Sequence, residues 1–399
     1  MQSSYDYVLV GGGLAGASAI QGIRERDPKG TVLLLSNEMH LPYDRPPLSK
    51  NLWLGKAKVE DIFIHDPAFY DRNGVAVVLG ATAARLDTAA KTITDANGAT
   101  IRFGKLLLAT GGTPRRLAIP GNDLDGICYY RTLDDYQRIR GEAAEGKSVL
   151  IVGGGFIGSE LAAALNLSLD VTMIFPGAYL CNKVFPASLG EALQTNFQQR
   201  GVRVLSMDMP VSIGKPNGKF RTETASGKSV ESDLLIVGIG IAPAVDLARE
   251  AGLAVENGIV VNEYLETSQA DIYAAGDNAF FPYAALGQHT RVEHWDNARA
   301  QGQCAGRNMA GAHEPYDYQP YFFSDLFEFG YEAVGQVDAT LETYADWQKE
   351  NYSGVIYYLR DGRVRGVMMC NVWDKIEAAR AMIKRGEKLT PEQLRGAIA

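Results

Sequence analysis

Residues 5–16 read YDYVLVGGGLAG, and residues 147–158 read KSVLIVGGGFIG. Each is a short apolar run ending directly in a glycine cluster, Gly11, Gly12, Gly13 and Gly16 in the first and Gly153, Gly154, Gly155 and Gly158 in the second. Helical patterns follow at Ala17–Arg26 and Ser159–Leu167, and further apolar runs at Thr31–Leu35 and Asp170–Phe175. The order is strand, glycine turn, helix, strand, written twice. In such a turn the first glycine permits the tight bend, the second lets a pyrophosphate approach the backbone, and the third lets helix pack on strand. The helix N-terminus then offers N–H donors to phosphate oxygens. Two units imply two bound dinucleotides; the competing reading is a pair of ligand-free turns in an α/β protein.

Two more apolar runs end in chemistry. Lys105–Thr110 stops at Gly111, Gly112, Thr113, Pro114 and Arg115, and Asp271–Ala275 stops at Gly276 and Asp277. Both deliver glycine and a polar group to the carboxyl edge of a sheet, where ligands of open α/β sheets bind. Taken alone, Asp277 reads equally as a helix cap. From Tyr316 the texture changes to aromatic and alternating runs at Tyr321–Phe327, Gly330–Val337, Gly354–Leu359 and Val364–Met369, with helical patterns at Lys375–Lys384 and Pro391–Ile398. The fold expected is therefore α/β, with two Rossmann-like dinucleotide-binding domains and a C-terminal α+β domain built on an antiparallel sheet.

Composition narrows the function. Of 399 residues, 46% are hydrophobic and 22% charged, which is an ordinary globular balance. Lys and Arg number 39 against 47 acids, a net charge of −8, which argues against nucleic acid as a partner. Cys128, Cys181, Cys304 and Cys370 lie far apart with no CxxC, so neither a dithiol motif nor a metal-ligand spacing is present. No metal is expected. A strand-like run from Tyr5 and the lack of an 18-residue apolar stretch give the expectation of a cytoplasmic protein without a leader or membrane span.

The two glycine turns, the ATGG strand end and the AGD strand end, in this order, resemble the two-dinucleotide-binding-domain flavoprotein reductases. LPYDRPPLSK (Leu41–Lys50) is similar to a loop of the ferredoxin and rubredoxin reductase branch, and residues 324–338 and 354–387 most resemble the apoptosis-inducing-factor family within it. The resemblance spans nearly the whole chain and implies a FAD domain (1–114 and 239–315) split in sequence by an NAD(P)H domain (115–238). A C-terminal domain (316–399) would serve an electron acceptor or a dimer interface. About fifteen residues join the two C-terminal segments, in place of a long insertion known in the animal factor, and suit a plain hairpin connection.

The resemblance also implies site residues. Gly11, Gly12, Gly13, Leu14 and Ala15 would cradle the FAD pyrophosphate. Asn37 stands where an acid usually holds the adenosine ribose, which leaves Glu38 for that contact. Arg45 would pair with a phosphate, Ala83 would touch adenine, Arg115 would lie on the FAD side of the ATGG turn, and Asp277 would accept from the ribityl chain. His294, Trp295 and Phe323 would lie against the isoalloxazine, Phe323 replacing a tryptophan of the relatives. Gly154, Gly155, Phe156, Ile157, Lys183, Gly240, Glu293 and His294 would meet NAD(P)H, with Phe156 as an aromatic gate or simply as core.

Lys50 and Glu160 carry the chemistry in this reading. The lysine would stabilise negative charge developing on the reduced flavin, and the carboxylate would keep it charged and oriented; the competing reading is a structural ion pair. Gly177 stands where NADH-specific members place an acid, so NADH over NADPH is an expectation resting on the family. Without a cysteine relay, electrons leave the flavin directly for a one-electron protein such as ferredoxin or rubredoxin, a quinone, monodehydroascorbate or oxygen. The alternative is a sensor or assembly factor that holds a stable reduced-FAD–NAD charge-transfer complex and forms a homodimer. Nine Arg/Lys against five acids in residues 355–399 hint at an acidic partner.

Overall fold

The computed structural model describes residues 2–398. Its contacts form two units: residues 1–44, 59–113 and 243–321, and residues 45–58, 114–242 and 322–399.

In the first unit the strand Ser4–Val10 lies between Val32–Leu35 and Thr100–Leu108, parallel to both, with Val10 opposite Leu35 and Leu108. Val75–Val78 extends one side, and Ile272–Ala274 joins Thr100–Leu108 in parallel. Val8, Leu9, Leu33 and Leu34 are fully buried. That explains why these strands read as unbroken apolar runs: a parallel sheet is covered on both faces. The helix Leu14–Arg26 begins at Gly13, and Arg24 and Arg26 in its last turn suit the negative end of its dipole. It packs on the helix Trp295–Met309 at a separation only glycine allows. A Cβ on Gly302 would stand 2.3 Å from the Ala15 carbonyl oxygen, and one on Gly306 2.2 Å from that of Ala19.

The second unit repeats the plan. Its parallel sheet runs Arg203–Ser206, Asp170–Phe175, Ser148–Val152, Leu234–Val237, Cys128–Tyr129 in space. A three-stranded antiparallel sheet, Pro210–Gly214, Phe220–Thr224 and Ser229–Ser232, packs its Ile213, Phe220 and Val230 with Leu150, Val152 and Val237. The C-terminal sheet has the order Tyr321–Leu326, Phe329–Gly335, Arg363–Cys370, Ser353–Arg360, Glu342–Lys349, and its last three neighbouring pairs are antiparallel.

The fold class is that expected from the repeat. Two local readings change. Glu342–Lys349 (ETYADWQK), expected as plain connection, is a full edge strand registered on Ser353–Arg360. Apart from the small Ala345, only polar or half-buried side chains line it, as suits an edge that must not attract other chains. The final helix is Pro391–Leu394 rather than a run to Ile398, because Arg395 leaves helical geometry and Gly396 takes φ +67°.

Candidate functional site

The two glycine turns match position by position in their local geometry. Gly11 has φ +126° and Gly153 φ +130°, a region closed to other residues, and a Cβ on either would strike a carbonyl oxygen, that of Ala109 at 2.1 Å or Gly238 at 2.3 Å. A Cβ on Gly12 would meet Ser36 Oγ at 2.3 Å, and one on Gly154 the Phe175 ring at 2.5 Å. Gly16 and Gly158 would each strike the carbonyl of the first glycine of their own turn at 2.2 Å. Gly13 and Gly155 differ: nothing lies within 4 Å of a Cβ on either. Both are helix N-caps without a side-chain cap, and neither helix has an acid in its first turn. Three positions per turn are therefore closed by protein, while the fourth opens on uncapped N–H donors. That is the form a pyrophosphate requires, so the residues fit two dinucleotides.

Around the first turn, Leu14 is half-buried and Ala15 buried, and the strand Ala83–Asp87 begins at half-buried Ala83. Asn37 is exposed, whereas Glu38 is half-buried and accepts from the Tyr43 hydroxyl at 2.5 Å. Of the two, Glu38 is thus the one held in place. Asp277 follows the strand Ile272–Ala274 through Gly276, whose φ is +87°, and its carbonyl accepts from Arg291 Nη1 at 2.9 Å. Arg291 also pairs with exposed Glu293. His294 caps the helix that begins at Trp295; burial pushes its imidazole down to about 4, although Asp277 and Asp296 pull the other way. Trp295 Nε1 donates to Asp44 Oδ1 at 2.5 Å. Burial raises Asp44 above the usual carboxylate range, opposed by that bond. Sequence alone assigns Asp44 no role; an acid set among prolines and aromatics was the available signal.

In the second unit, Pro46–Ser49 form a 3₁₀ turn with prolines in its first positions, which delivers Ser49 and Lys50 in fixed orientation. Lys50 Nζ lies 2.9 Å from Glu160 Oε1, with the side chains 11% and 5% exposed. Glu160 stands on the helix Phe156–Leu165, one turn beyond its open N-terminus. Its carboxylate also accepts from Ser49 Oγ at 2.5 Å and Ser324 Oγ at 2.6 Å. Lys50 Nζ further lies 4.9 Å from the centroid of the Phe323 ring, within cation–π range. Neither serine is singled out by the sequence, since a hydroxyl carries no pattern.

Phe156 is half-buried, 5.6 Å from Phe322 and 6.5 Å from Tyr331 by ring centroids, and Ile157 is 41% exposed. Arg45 Nη1 donates to the Arg131 carbonyl at 2.8 Å. Exposed Arg115 bonds to the carbonyls of Gly240 and Ile241 through its backbone N–H and Nε, so Arg115 and Gly240 meet directly. Gly240 has φ +92° with open space around it, and exposed Lys183 is tied through its carbonyl to Ala339 N–H. Gly177 is not empty: a Cβ there would stand 2.7 Å from the Asn182 carboxamide.

The four cysteines are buried and form no disulfide. Burial pushes the thiols of Cys128 and Cys181 up to about 12 and that of Cys304 up to about 11, so they stay protonated and poorly nucleophilic. Among the described residues no group of His, Cys, Asp and Glu is placed to hold a metal, and no helix is long and apolar enough to cross a membrane.

Two parallel sheets, each opening on an uncapped glycine turn, define a protein built to bind two dinucleotides. Residues 5–302 match the family described as pyridine nucleotide-disulphide oxidoreductase, and the chain belongs to that family as an NAD(P)H-dependent flavoprotein oxidoreductase. Residues 305–353 and 344–385 match the C-terminal region described for the mitochondrion-associated apoptosis-inducing factor. The chain is 33% identical to apoptosis-inducing factor 1 of Dictyostelium discoideum over 96% of its length and 80% of the relative's. It is likewise 33% identical to the ferredoxin–NAD(+) reductase component of the anthranilate 1,2-dioxygenase system of Burkholderia cepacia, over 98% and 97%. Among solved structures, that of the covalent putidaredoxin reductase–putidaredoxin complex superposes with a TM-score of 0.91 at 28% identity, covering 97% of this chain and 95% of the other.

Proposed function

We propose that this chain takes hydride from NADH and hands electrons singly to a ferredoxin- or rubredoxin-type protein in the cytoplasm. Relatives named as ferredoxin and rubredoxin reductases support the acceptor class. Bound FAD supplies the chemistry, since a flavin takes a hydride and can release its electrons one at a time.

The chain's own residues bind and orient. In this reading Gly11, Gly12, Gly13, Leu14 and Ala15 hold the FAD pyrophosphate, with Glu38, Arg45, Ala83, Arg115 and Asp277 along the rest of the molecule. His294, Trp295 and Phe323 pack against the ring system. His294 serves there as a neutral group, as its depressed basicity requires. Gly154, Gly155, Phe156, Ile157, Lys183, Gly240 and Glu293 hold the nicotinamide dinucleotide. Lys50 offers an ammonium to negative charge, and Glu160 fixes its direction. The buried 2.9 Å contact between them carries the proposal.

NADH is favoured by about tenfold or less, because Gly177 removes the usual selector and an acid there would add only a single charged hydrogen bond to the ribose. The match of residues 305–385 to the apoptosis-inducing-factor C-terminal region favours a second reading, a redox sensor that dimerises. Stopped-flow reduction in air separates the two. A reductase reoxidises within its turnover time on adding ferredoxin, whereas a sensor keeps a long-wavelength charge-transfer band. A purified protein that is colourless and takes up no FAD would end both readings.

A further inference from the structure

Glu160 is held from two directions by hydroxyls. Ser49 Oγ reaches one carboxylate oxygen at 2.5 Å, and Ser324 Oγ reaches the other at 2.6 Å, the same oxygen that Lys50 Nζ approaches at 2.9 Å. Ser49 is 1% exposed and Ser324 2%, so neither hydroxyl turns to water instead. They come from distant segments: Ser49 from the 3₁₀ turn that immediately precedes Lys50, and Ser324 from the strand Tyr321–Leu326 of the C-terminal sheet. Two residues before Ser324, on the same face of that strand, Phe322 packs on Phe156 at the start of the helix that carries Glu160.

A carboxylate with one ammonium partner can rotate about its last two bonds and take the ammonium with it. One that also accepts a short bond at each oxygen is left with a single orientation, because bonds to an ionised acceptor are short and about twice as strong as neutral ones. A functional group is placed as accurately as the shell of residues behind it allows. We infer that Ser324, together with Ser49, is a positioning residue for the Lys50–Glu160 pair, so that the C-terminal sheet sets where the Lys50 ammonium points. This rests on the role given to Lys50 under the proposed function.

The experiment uses the FAD-loaded full chain and two independent readouts. The first is trace labelling of lysine amines with acetic anhydride, quantified at Lys50 by mass spectrometry. The second is single-turnover flavin reduction by NADH. Ser324→Ala should raise Lys50 labelling several-fold and slow reduction by about tenfold, the factor for removing one hydrogen bond to a charged group, with the apparent affinity for NADH within about twofold. In a Lys50→Ala background the same change should alter the rate by less than about twofold, since residues acting as one unit are not additive. Ser49→Ala should raise Lys50 labelling in the same direction, which keeps the test open if Ser324→Ala does not fold. Unchanged Lys50 labelling in the serine variants overturns the inference, as does an equal further loss of rate in the Lys50→Ala background. Failure of the underlying reading looks different: Lys50→Ala itself would then be reduced at the parental rate.

Discussion

Lys50 Nζ and Glu160 Oε1 meet at 2.9 Å with little of either side chain exposed, although 110 positions separate them in the chain. A buried ion pair is a poor source of stability, because desolvating two charges offsets most of their attraction. Under the proposed function, its place beside the open N-terminus of the helix Phe156–Leu165 is accounted for by what it positions. Removing one partner still has a cost. Glu160→Ala leaves an ammonium facing two hydroxyls and should destabilise the protein by about 3–5 kcal/mol, the usual penalty for an uncompensated buried charge. Urea unfolding of parent and variant measures it, and a difference below about 1 kcal/mol would mean that Lys50 finds water.

The helices Leu14–Arg26 and Trp295–Met309 touch through glycine, so volume added there should be felt at the first dinucleotide turn. Gly306→Ala puts a methyl 2.2 Å from the Ala19 carbonyl oxygen and should cost about 1–3 kcal/mol through overpacking. FAD content after dialysis should fall while NADH protection of the second unit from proteolysis stays at the parental level. Full FAD retention would show that the helix pair relaxes without moving its N-terminus.

In the proposed reading, coenzyme choice turns on a crowded glycine. Gly177→Glu alone must displace the Asn182 carboxamide, which lies 2.7 Å from the new Cβ. The double change Gly177→Glu with Asn182→Ala should therefore raise the NADH-over-NADPH ratio of kcat/KM more than Gly177→Glu alone. Equal ratios would show that Asn182 yields freely.

His294 should make stability depend on pH. Its folded pKa, about 4, lies below the ordinary 6.5, so between these values the unfolded chain binds the extra proton and stability falls as pH falls. The full effect, about 3 kcal/mol from the difference of the two values, is reached near pH 4 and is absent above pH 6.5. Asp44, raised by burial, acts in the opposite direction, so the readout is the difference between parent and His294→Gln. The variant should unfold less readily than the parent at pH 4.5 relative to pH 7.5; parallel profiles would place the titration elsewhere.

The parallel sheets were legible because burial on both faces forces continuous apolar runs, and the turns because three of four glycine positions have no room for a Cβ. Lys50 and Glu160 were legible only through a family pattern; no spacing rule joins residues 110 positions apart. Ser49 and Ser324 left no mark, since a buried serine and a surface serine look alike in sequence. The strand Glu342–Lys349 leaves no mark in the sequence because an edge strand with polar side chains lacks the alternation that marks strands in a core.

If Lys50 acts on hydride transfer rather than on packing, its removal must slow the flavin itself. Single-turnover flavin bleaching by NADH, measured per FAD-loaded molecule in the parent, Lys50→Ala, Glu160→Ala and the double variant, reads that step alone. The expected result is a loss of about 10²-fold for Lys50→Ala, as for removal of one preorganised electrostatic group, and a smaller one for Glu160→Ala, with a double variant no slower than Lys50→Ala alone. Rates within about twofold of the parent in both single variants, with only thermal stability reduced, would contradict that role and leave the pair a structural one.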